Sequence, residues 1–263
     1  MKNGGVMKRF VFLIIVLCTG VISLAFADTI TVDWLVDSSI YSTSTCTVGN
    51  NLTLPSAPTK RGHHFVGWKT FPYVFLEYIE STSTQYIDTD YIFTTNNGVL
   101  DIEFAKIGSN SSDNQGCGSY SLEDLRCFGI WFNKSTPYIQ VGRNNLPLPT
   151  AMNNGEVHHL IVSVNNGQAD VILDGSTVIN TPYTGTIVNG KPWYLFAMNH
   201  HGNVYRPSSL QIHTVKLYEK DTLVRNLIPV KRTTDQVIGM YDTVSDTFFE
   251  NAGTGTFIAG PEL

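Results

Sequence analysis

Two carboxylates, Asp101 and Glu103, stand two residues apart in an alternating segment that reads Val-Leu-Asp-Ile-Glu-Phe-Ala. Alternate residues of a β-strand point to one face, so both acids would lie opposite the apolar residues between them. A retaining glycosidase needs a carboxylate nucleophile and a carboxylic acid about 5 Å apart. In a Glu-x-Asp-x-Glu catalytic strand the nucleophile would stand at Val99, and a valine cannot form the glycosyl intermediate. The pair therefore indicates a solvated strand face, and we expect no catalytic residue.

Histidine occurs in three adjacent pairs, at residues 63–64, 158–159 and 200–201. Neighbours in a strand point to opposite faces, so such a pair cannot hold one metal as the i, i+4 histidines of a helical zinc motif do. One histidine of each pair is expected to pack and the other to be solvated. The sequence therefore predicts no metal site.

A serine or cysteine nucleophile has no supporting motif in the sequence. Gly-x-Ser-x-Gly is absent, and Gly-Cys-Gly-Ser at residues 116–119 reads as a polar loop without the strand-to-helix turn of a nucleophile elbow. Gly-Thr-Gly-Thr-Phe at residues 253–257 lacks the lysine and the helix of a phosphate-binding loop. We therefore predict that the protein is not an enzyme.

Residues suited to ligand binding are easier to find, because aromatic rings stack on sugars while amide and guanidinium groups bond their hydroxyls. The candidate ligand-binding residues are Trp131, Trp193, Asn199, Tyr205 and Arg206. Aromatic residues of β proteins also fill cores, and this alternative stays open for each ring. Tyr205 and Arg206 fall in a segment between strands, where exposed contacts concentrate.

Cys117 and Cys127 flank a nine-residue segment and could close a loop. Such a bridge would stabilise the fold by about 2–3 kcal/mol by constraining the unfolded chain. The alternative is two free, buried thiols. Their spacing is not that of a zinc site.

The first 27 residues read as a signal peptide. Three basic residues precede an apolar run at residues 10–17, and Ala-Phe-Ala at residues 25–27 predicts cleavage before Asp28. The run is too short for a membrane anchor, which takes about 20 apolar residues. Leu17 stands before Cys18 where a lipoprotein signal requires a small residue. We therefore predict a secreted or cell-surface protein, without membrane insertion after cleavage.

The charge of the exported chain argues against nucleic acid as a partner. Cleavage removes three basic residues and no acidic one, so the formal net charge changes from −5 to −8. No basic stripe remains that could cover a phosphate backbone.

Short strands separated by turn residues predict an all-β fold, either a sandwich or a barrel. The predicted strands cover residues 30–36, 65–68, 99–107, 159–164, 169–173, 193–198 and 210–218. Tight turns are predicted where residues that tolerate positive φ occur together, at residues 96–98, 153–155, 165–167 and 174–175.

The region 28–70 carries three segments in order: Leu-Thr-Leu-Pro at residues 52–55, Pro-Thr-Lys-Arg-Gly at 58–62 and Phe-Val-Gly-Trp at 65–68. It resembles the Listeria and Bacteroides repeat of bacterial surface proteins, the internalin B-repeat type. The resemblance implies a small β module that acts as a spacer or an interaction unit.

The region 74–260 contains Glu-Val-His-His at residues 156–159, two strand-like segments and Asp-Gly at residues 174–175. It resembles the concanavalin A-like, laminin G-like jelly-roll domain of exported gut-bacterial proteins, although Val157 stands where that family has tryptophan. The resemblance implies a jelly-roll sandwich. It also implies that calcium could bind at one rim, with Asp170 and Asp174 as candidate ligands; no other cofactor is expected.

These observations favour an exported bacterial surface protein that binds an extracellular glycan or protein through the jelly-roll domain, in the manner of an adhesin. Two alternatives remain: a structural surface protein without a discrete ligand, and a glycoside hydrolase. Fold resemblance alone does not decide among them.

Overall fold

A computed structural model describes residues 8–17, 29–36, 39–47, 51–61, 63–70, 72–107, 115–121, 126–132, 137–149, 152 and 155–263. The chain divides into two compact units, and the boundary in the sequence falls between Val74 and Phe75. Throughout these described ranges the regular structure is β-strand, and no helix is long and apolar enough to cross a membrane.

The first unit contains four strands: β1 (Lys8–Leu17), β2 (Thr29–Val36), β3 (Ser39–Thr47) and β4 (His63–Thr70). Their order in the sheet is β3-β2-β1-β4, with β1 antiparallel to β2 and parallel to β4. Val32 and Trp34 are buried, and the Trp34 indole N–H donates to Ser44 Oγ at 2.9 Å. The apolar segment predicted as the core of a signal peptide thus forms β1, and its cleavage stays a prediction.

The second unit begins within the short strand β5 (Tyr73–Phe75) and contains two sheets. The larger sheet has the order β15-β14-β13-β8-β19-β20-β21-β22, and β6 pairs with both β19 and β23. These strands are β6 (Ile79–Glu80), β8 (Asn97–Lys106), β13 (Val157–Asn165), β14 (Gln168–Leu173), β15 (Ser176–Pro182), β19 (Leu210–Glu219), β20 (Thr222–Arg232), β21 (Ile238–Asp242), β22 (Thr247–Phe249) and β23 (Ile258–Ala259).

The smaller sheet has the order β12-β11-β10-β9-β16-β7, and β17 pairs with both β9 and β18. Its strands are β7 (Ile87–Asp88), β9 (Gln115–Ser121), β10 (Arg126–Phe132), β11 (Tyr138–Val141), β12 (Asn144–Pro147), β16 (Tyr194–Leu195), β17 (Met198–His200) and β18 (Asn203–Tyr205). The pairing of β17 with β9 is parallel, while the other pairs named here in this sheet are antiparallel.

The core of the second unit lies between these two sheets. Strand β8 alternates from Asn97 to Phe104, with Leu100, Ile102 and Phe104 buried and the acids between them turned outward. From the smaller sheet, Phe132 meets Phe104 with ring centroids 5.3 Å apart. Burying each side chain of this size contributes about 1.5–3 kcal/mol, so the two inner faces together hold the sandwich closed. The prediction of an all-β jelly-roll fold is confirmed.

Two of the predicted turns are confirmed by positive φ angles, at Asn166–Gly167 (45° and 96°) and at Asp174–Gly175 (49° and 79°). The turn predicted at residues 96–98 is wrong, because β8 already begins at Asn97 and the Asn96 side chain instead binds Thr186 and Ile187. The turn at residues 153–155 lies partly outside the described residues.

The prediction of a polar loop at residues 116–119 is also wrong. These residues form most of β9, which is buried and pairs with β10 along its whole length. Glycine occupies three positions of the two strands, so their sequences lack the alternation of apolar and polar residues that marks a strand.

The close approach of β9 to β10 makes Gly118 a sensitive position. Its φ is 137°, and a Cβ placed there would lie 2.4 Å from the carbonyl oxygen of Phe128. We expect Gly118→Ala to lower the free energy of unfolding by about 2–4 kcal/mol, from overpacking and backbone strain together. Urea titration followed by tryptophan fluorescence measures this change.

Gly190→Ala is the matched control for this variant. Gly190 also has a positive φ, 67°, but a Cβ added there would have nothing within 4 Å. The loss of unfolding free energy in this variant therefore reflects backbone strain alone and should be about 1 kcal/mol. Equal losses in the two variants would contradict the close approach of β9 to β10.

Candidate ligand-binding face

At the centre of the smaller sheet, strands β9 and β10 place glycines on the outer face and so contribute almost no side chains there. Gly116, Gly118 and Gly129 turn the hydrogens of their Cα atoms toward this side, and a Cβ at Gly116 or Gly129 would lie 2.8 Å from atoms of Met198. Met198 is fully buried and pairs with Gly118 across the parallel β17–β9 contact. The glycines therefore let the methionine lie flat against the sheet.

Aromatic rings surround this methionine. Tyr120, Cys127, Trp131 and Met198 form one buried cluster, against which Tyr138 and Tyr205 pack while half-exposed. We call the surface formed by Tyr120, Trp131, Tyr138, Met198 and Tyr205 the aromatic face. Strand register explains the grouping, because Tyr138 pairs with Trp131 and Tyr205 pairs with Met198.

The rings of the aromatic face hold one another in place. Tyr138 stacks on Trp131 with a centroid distance of 5.9 Å and an angle of 8° between the planes. Tyr205 is parallel to Tyr120 at 6.2 Å, and Tyr120 meets Trp131 edge-on at 5.5 Å. Each such pair contributes about 0.5–1.5 kcal/mol beyond burial. Tyr138 packs one ring side on Trp131 and remains half-buried.

Arg206 stands at the rim of the aromatic face in a strained conformation. Its φ is 52°, a region that residues with a Cβ seldom adopt, and its carbonyl oxygen accepts a hydrogen bond from Gly116 N at 3.0 Å. The exposed guanidinium lies 4.9 Å from the centroid of the Tyr205 ring. A cation over a ring is attracted by the electron density of its face, so Arg206 is held beside the tyrosine.

Trp131 carries a buried hydrogen-bond donor for which the described residues supply no acceptor. Its side chain is 4% exposed, and Nε1 makes no hydrogen bond with any described residue. An unsatisfied buried N–H costs about 1–3 kcal/mol.

Burial of Tyr120 and Tyr138 disfavours the ionised form of their phenol groups. Burial raises the pKa of Tyr120 to about 12, with a smaller opposing effect of Arg206. Burial also raises the pKa of Tyr138. Both hydroxyls therefore act as neutral donors and acceptors.

The structure brings three of the five predicted ligand-binding residues together: Trp131, Tyr205 and Arg206. The other two, Trp193 and Asn199, lie elsewhere. Trp193 is fully buried on the inner side, where its indole N–H donates to Phe128 O at 2.8 Å. Asn199 is fully buried as well; its amide donates to Pro192 O and accepts from Gly202 N.

Sequence reasoning missed Tyr120, Met198 and the half-buried His200, which packs against Tyr120 and Tyr205 with centroids 5.2 and 5.4 Å away. The missed signal was the spacing of Gly116, Gly118 and Gly129. Glycines two residues apart in one strand and opposite a glycine of the next clear a strip of the sheet on one side.

The thiols of Cys117 and Cys127 are free, and the alternative of a disulfide is not realised. Cys127 pairs with Tyr120, three residues beyond Cys117, so the two thiols lie on opposite faces of the sheet. Cys117 belongs to the core between the sheets and Cys127 to the aromatic cluster. Burial raises the pKa of each thiol to about 12.

Both thiols are therefore expected to resist iodoacetamide in the folded protein and to react fully after denaturation without reductant. Peptide mass spectrometry distinguishes the two cysteines. A peptide pair linked through Cys117 and Cys127 would contradict the placement on opposite faces.

The other residues that were considered for catalysis or metal binding lie outside the aromatic face, and their side chains contact other residues. Asp101 is close to His159 Nε2, at 2.8 Å, and to Lys216 Nζ, at 3.7 Å, on the outer face of the larger sheet. His158 is buried while His159 is exposed, as adjacent strand positions require. Among the described residues no group of three or more His, Cys, Asp or Glu side chains could hold a metal ion. The side chains of residues 63–64 lie outside the description.

The two aspartates considered as calcium ligands are engaged in other contacts. Asp174 binds His158 Nδ1 at 2.8 Å through one carboxylate oxygen and His159 N at 2.9 Å through the other. Asp170 accepts a hydrogen bond from Asn180 Nδ2. Burial tends to raise the pKa of Asp174, but the hydrogen bonds from His158 and His159 outweigh it and hold that pKa below its usual value.

This lowered pKa predicts a pH-dependent contribution to stability. The ionised Asp174 stabilises the fold above the unfolded-state pKa of about 3.9, and the contribution disappears as the pH falls through the lower folded-state value. Asp174→Asn keeps a residue that tolerates positive φ and removes the charge. The unfolding free energy of this variant should be lower than that of the unmodified protein down to about pH 4. Below that pH the difference between the two proteins should shrink. A deficit that grows in acid would contradict the assignment.

No model of a known protein family matches the sequence, and no curated protein matches it either. The solved structures that are similar in fold include three that share low sequence identity with this chain. A candidate carbohydrate-binding protein from Bacteroides ovatus shares 11% identity at a TM-score of 0.51, over 88% of this chain and 68% of its own. The fold comparison rests on this structure.

The other two structures have lower TM-scores. The native heptameric SAP-like pentraxin of Limulus polyphemus has 10% identity and a TM-score of 0.47, over 72% of this chain and 94% of its own. Domains LG4-5 of the mouse laminin alpha1 chain have 9% identity and a TM-score of 0.43, over 66% of this chain and 49% of their own.

Proposed function

We propose that this chain is an exported bacterial binding protein whose aromatic face recognises a glycan. The observation that carries the proposal is the half-buried Tyr138 ring, which is stacked on buried Trp131 beside Tyr205 and Arg206. A flat ring supported from behind suits the apolar face of a sugar. The hydroxyls of the tyrosines suit its oxygens.

Three further observations support this proposal. The first 27 residues have the composition of a signal peptide, which supports a secreted or cell-surface location. The fold is shared with a candidate carbohydrate-binding protein. The region 28–70 carries segments that resemble the Listeria and Bacteroides repeat, which suits a spacer that presents the jelly-roll domain at the surface.

A glycan array probed with the full chain, expressed with its leader and purified as the cell processes it, tests the proposal. Tyr138→Ala and Tyr205→Ala should each weaken binding several-fold to about tenfold, because each removes a ring from the aromatic face. Calcium should have no effect, since Asp170 and Asp174 are engaged in other contacts. The N-terminal sequence of the purified protein reports whether residues 1–27 are removed.

Tyr218→Ala is the matched control, because Tyr218 is also half-buried but lies on β19 of the larger sheet. It should leave glycan binding unchanged, and thermal denaturation verifies that each variant folds. Binding to a protein ligand but to no glycan would replace the proposed ligand class. Absence of any ligand would favour a structural surface protein, and turnover of a polysaccharide would contradict a purely binding role.

A further inference from the structure

The acidic residues of this protein are distributed unevenly over the two sheets of the second unit. The sequence has 22 acidic residues, yet residues 125–155 and 175–218 contain none. These two stretches supply β10 to β12 and β16 to β18 of the smaller sheet, and also β15 and all but the last residue of β19 of the larger sheet. In the strands of the smaller sheet, all of which are described, the one carboxylate is Asp88, on β7 at the edge opposite β12.

The larger sheet differs in this respect. Its outer side carries Asp101, Glu103 and Asp170, and Asp101 is paired there with Lys216. The described strands that form the aromatic face, β9, β10, β11, β17 and β18, thus carry no carboxylate, whereas Glu123 and Asp124, between β9 and β10 in the sequence, lie outside the described residues. The charge of these strands themselves does not oppose an anion at this face.

The same face carries a cation that has no acidic partner among the described residues. Arg206 makes no ion pair with a described residue, whereas Arg225 and Arg232 are bound to Asp242 and to Asp235 with Glu250. Its guanidinium lies over the Tyr205 ring, and its planar donors suit the two oxygens of a carboxylate or a sulfate.

One cost in the folded protein is explained if an anionic group binds here. It is the left-handed backbone of Arg206, with φ of 52°, which holds the guanidinium at the rim. A ligand that brings negative charge would use this feature.

We propose that the glycan recognised by the aromatic face is acidic, with a carboxylate or sulfate group bound by Arg206 and a sugar ring stacked on Tyr138. The inference rests on the proposed function and narrows its ligand class. The net charge of the protein does not oppose it, because distant charges are screened beyond about 8 Å at physiological ionic strength and the local cation dominates.

The test compares each acidic oligosaccharide with a neutral counterpart of the same sugars. The probes are uronic acid oligosaccharides beside their carboxyl-reduced forms, and sulfated oligosaccharides beside their desulfated forms, each titrated by calorimetry against the full chain as the cell processes it. We expect the acidic member of at least one pair to bind on the order of tenfold more tightly, as a charge-assisted hydrogen bond predicts. The pair that shows this preference identifies the anionic group.

Arg206→Gln should abolish the preference for the acidic member, and Arg206→Lys should retain part of it because the charge remains without the planar fork. Lys220→Gln is the matched control: Lys220 is exposed, has a φ of 49° and lies between β19 and β20 of the larger sheet. It should leave the preference unchanged.

The outcomes separate the inference from the proposed function. Equal affinity for the acidic and neutral members of every pair would overturn the inference and leave glycan binding standing. Failure of all glycans to bind would overturn both. The comparison of paired probes uses the unmodified protein, so it decides the matter even if an Arg206 variant does not fold.

Discussion

The close contact between β9 and β10 is the constraint on which both sides of the smaller sheet depend. A Cβ at Gly118 would lie 2.4 Å from the Phe128 carbonyl oxygen, so no other residue fits without moving a strand. On the inner side this contact places Phe128, Ile130 and Phe132 against the core. On the outer side it clears the strip on which Met198 rests. Strand β17 pairs with β9 there, and β18 follows with Tyr205, so the aromatic face depends on three residues that have no side chain.

The sequence pattern was sufficient to predict four strands of the larger sheet, β8, β13, β14 and β19, whereas β15, β20, β21 and β22 were not predicted. Residues 99–107 and 169–173 were predicted from alternation and correspond closely to β8 and β14. These strands bury one side and expose the other, so the core leaves a period of two in the sequence. The smaller sheet lacks this signal at its centre. Every described side chain of β9 is buried, and glycine and serine there look like a loop.

The candidate site could be predicted in part for the same reason. Tyr205 and Arg206 were recognised because a segment between strands exposes its residues. Trp131 and Trp193 could not be distinguished, since each stands among apolar residues and only strand register decides which side of a sheet a ring takes. Register depends on pairs of residues far apart in sequence, such as Tyr205 with Met198 and Met198 with Gly118. A single sequence does not reveal those pairs directly.

The packing of the aromatic face also bears on the rates of recognition. Tyr138 rests on Trp131, Tyr205 is parallel to Tyr120, and the Arg206 backbone is anchored to Gly116 N. These groups are immobilised when the chain folds, so a ligand that docks here restricts little further motion and meets a surface already in its bound shape. Association should then approach the speed set by diffusion and orientation. Differences among ligands would appear in how long each remains bound.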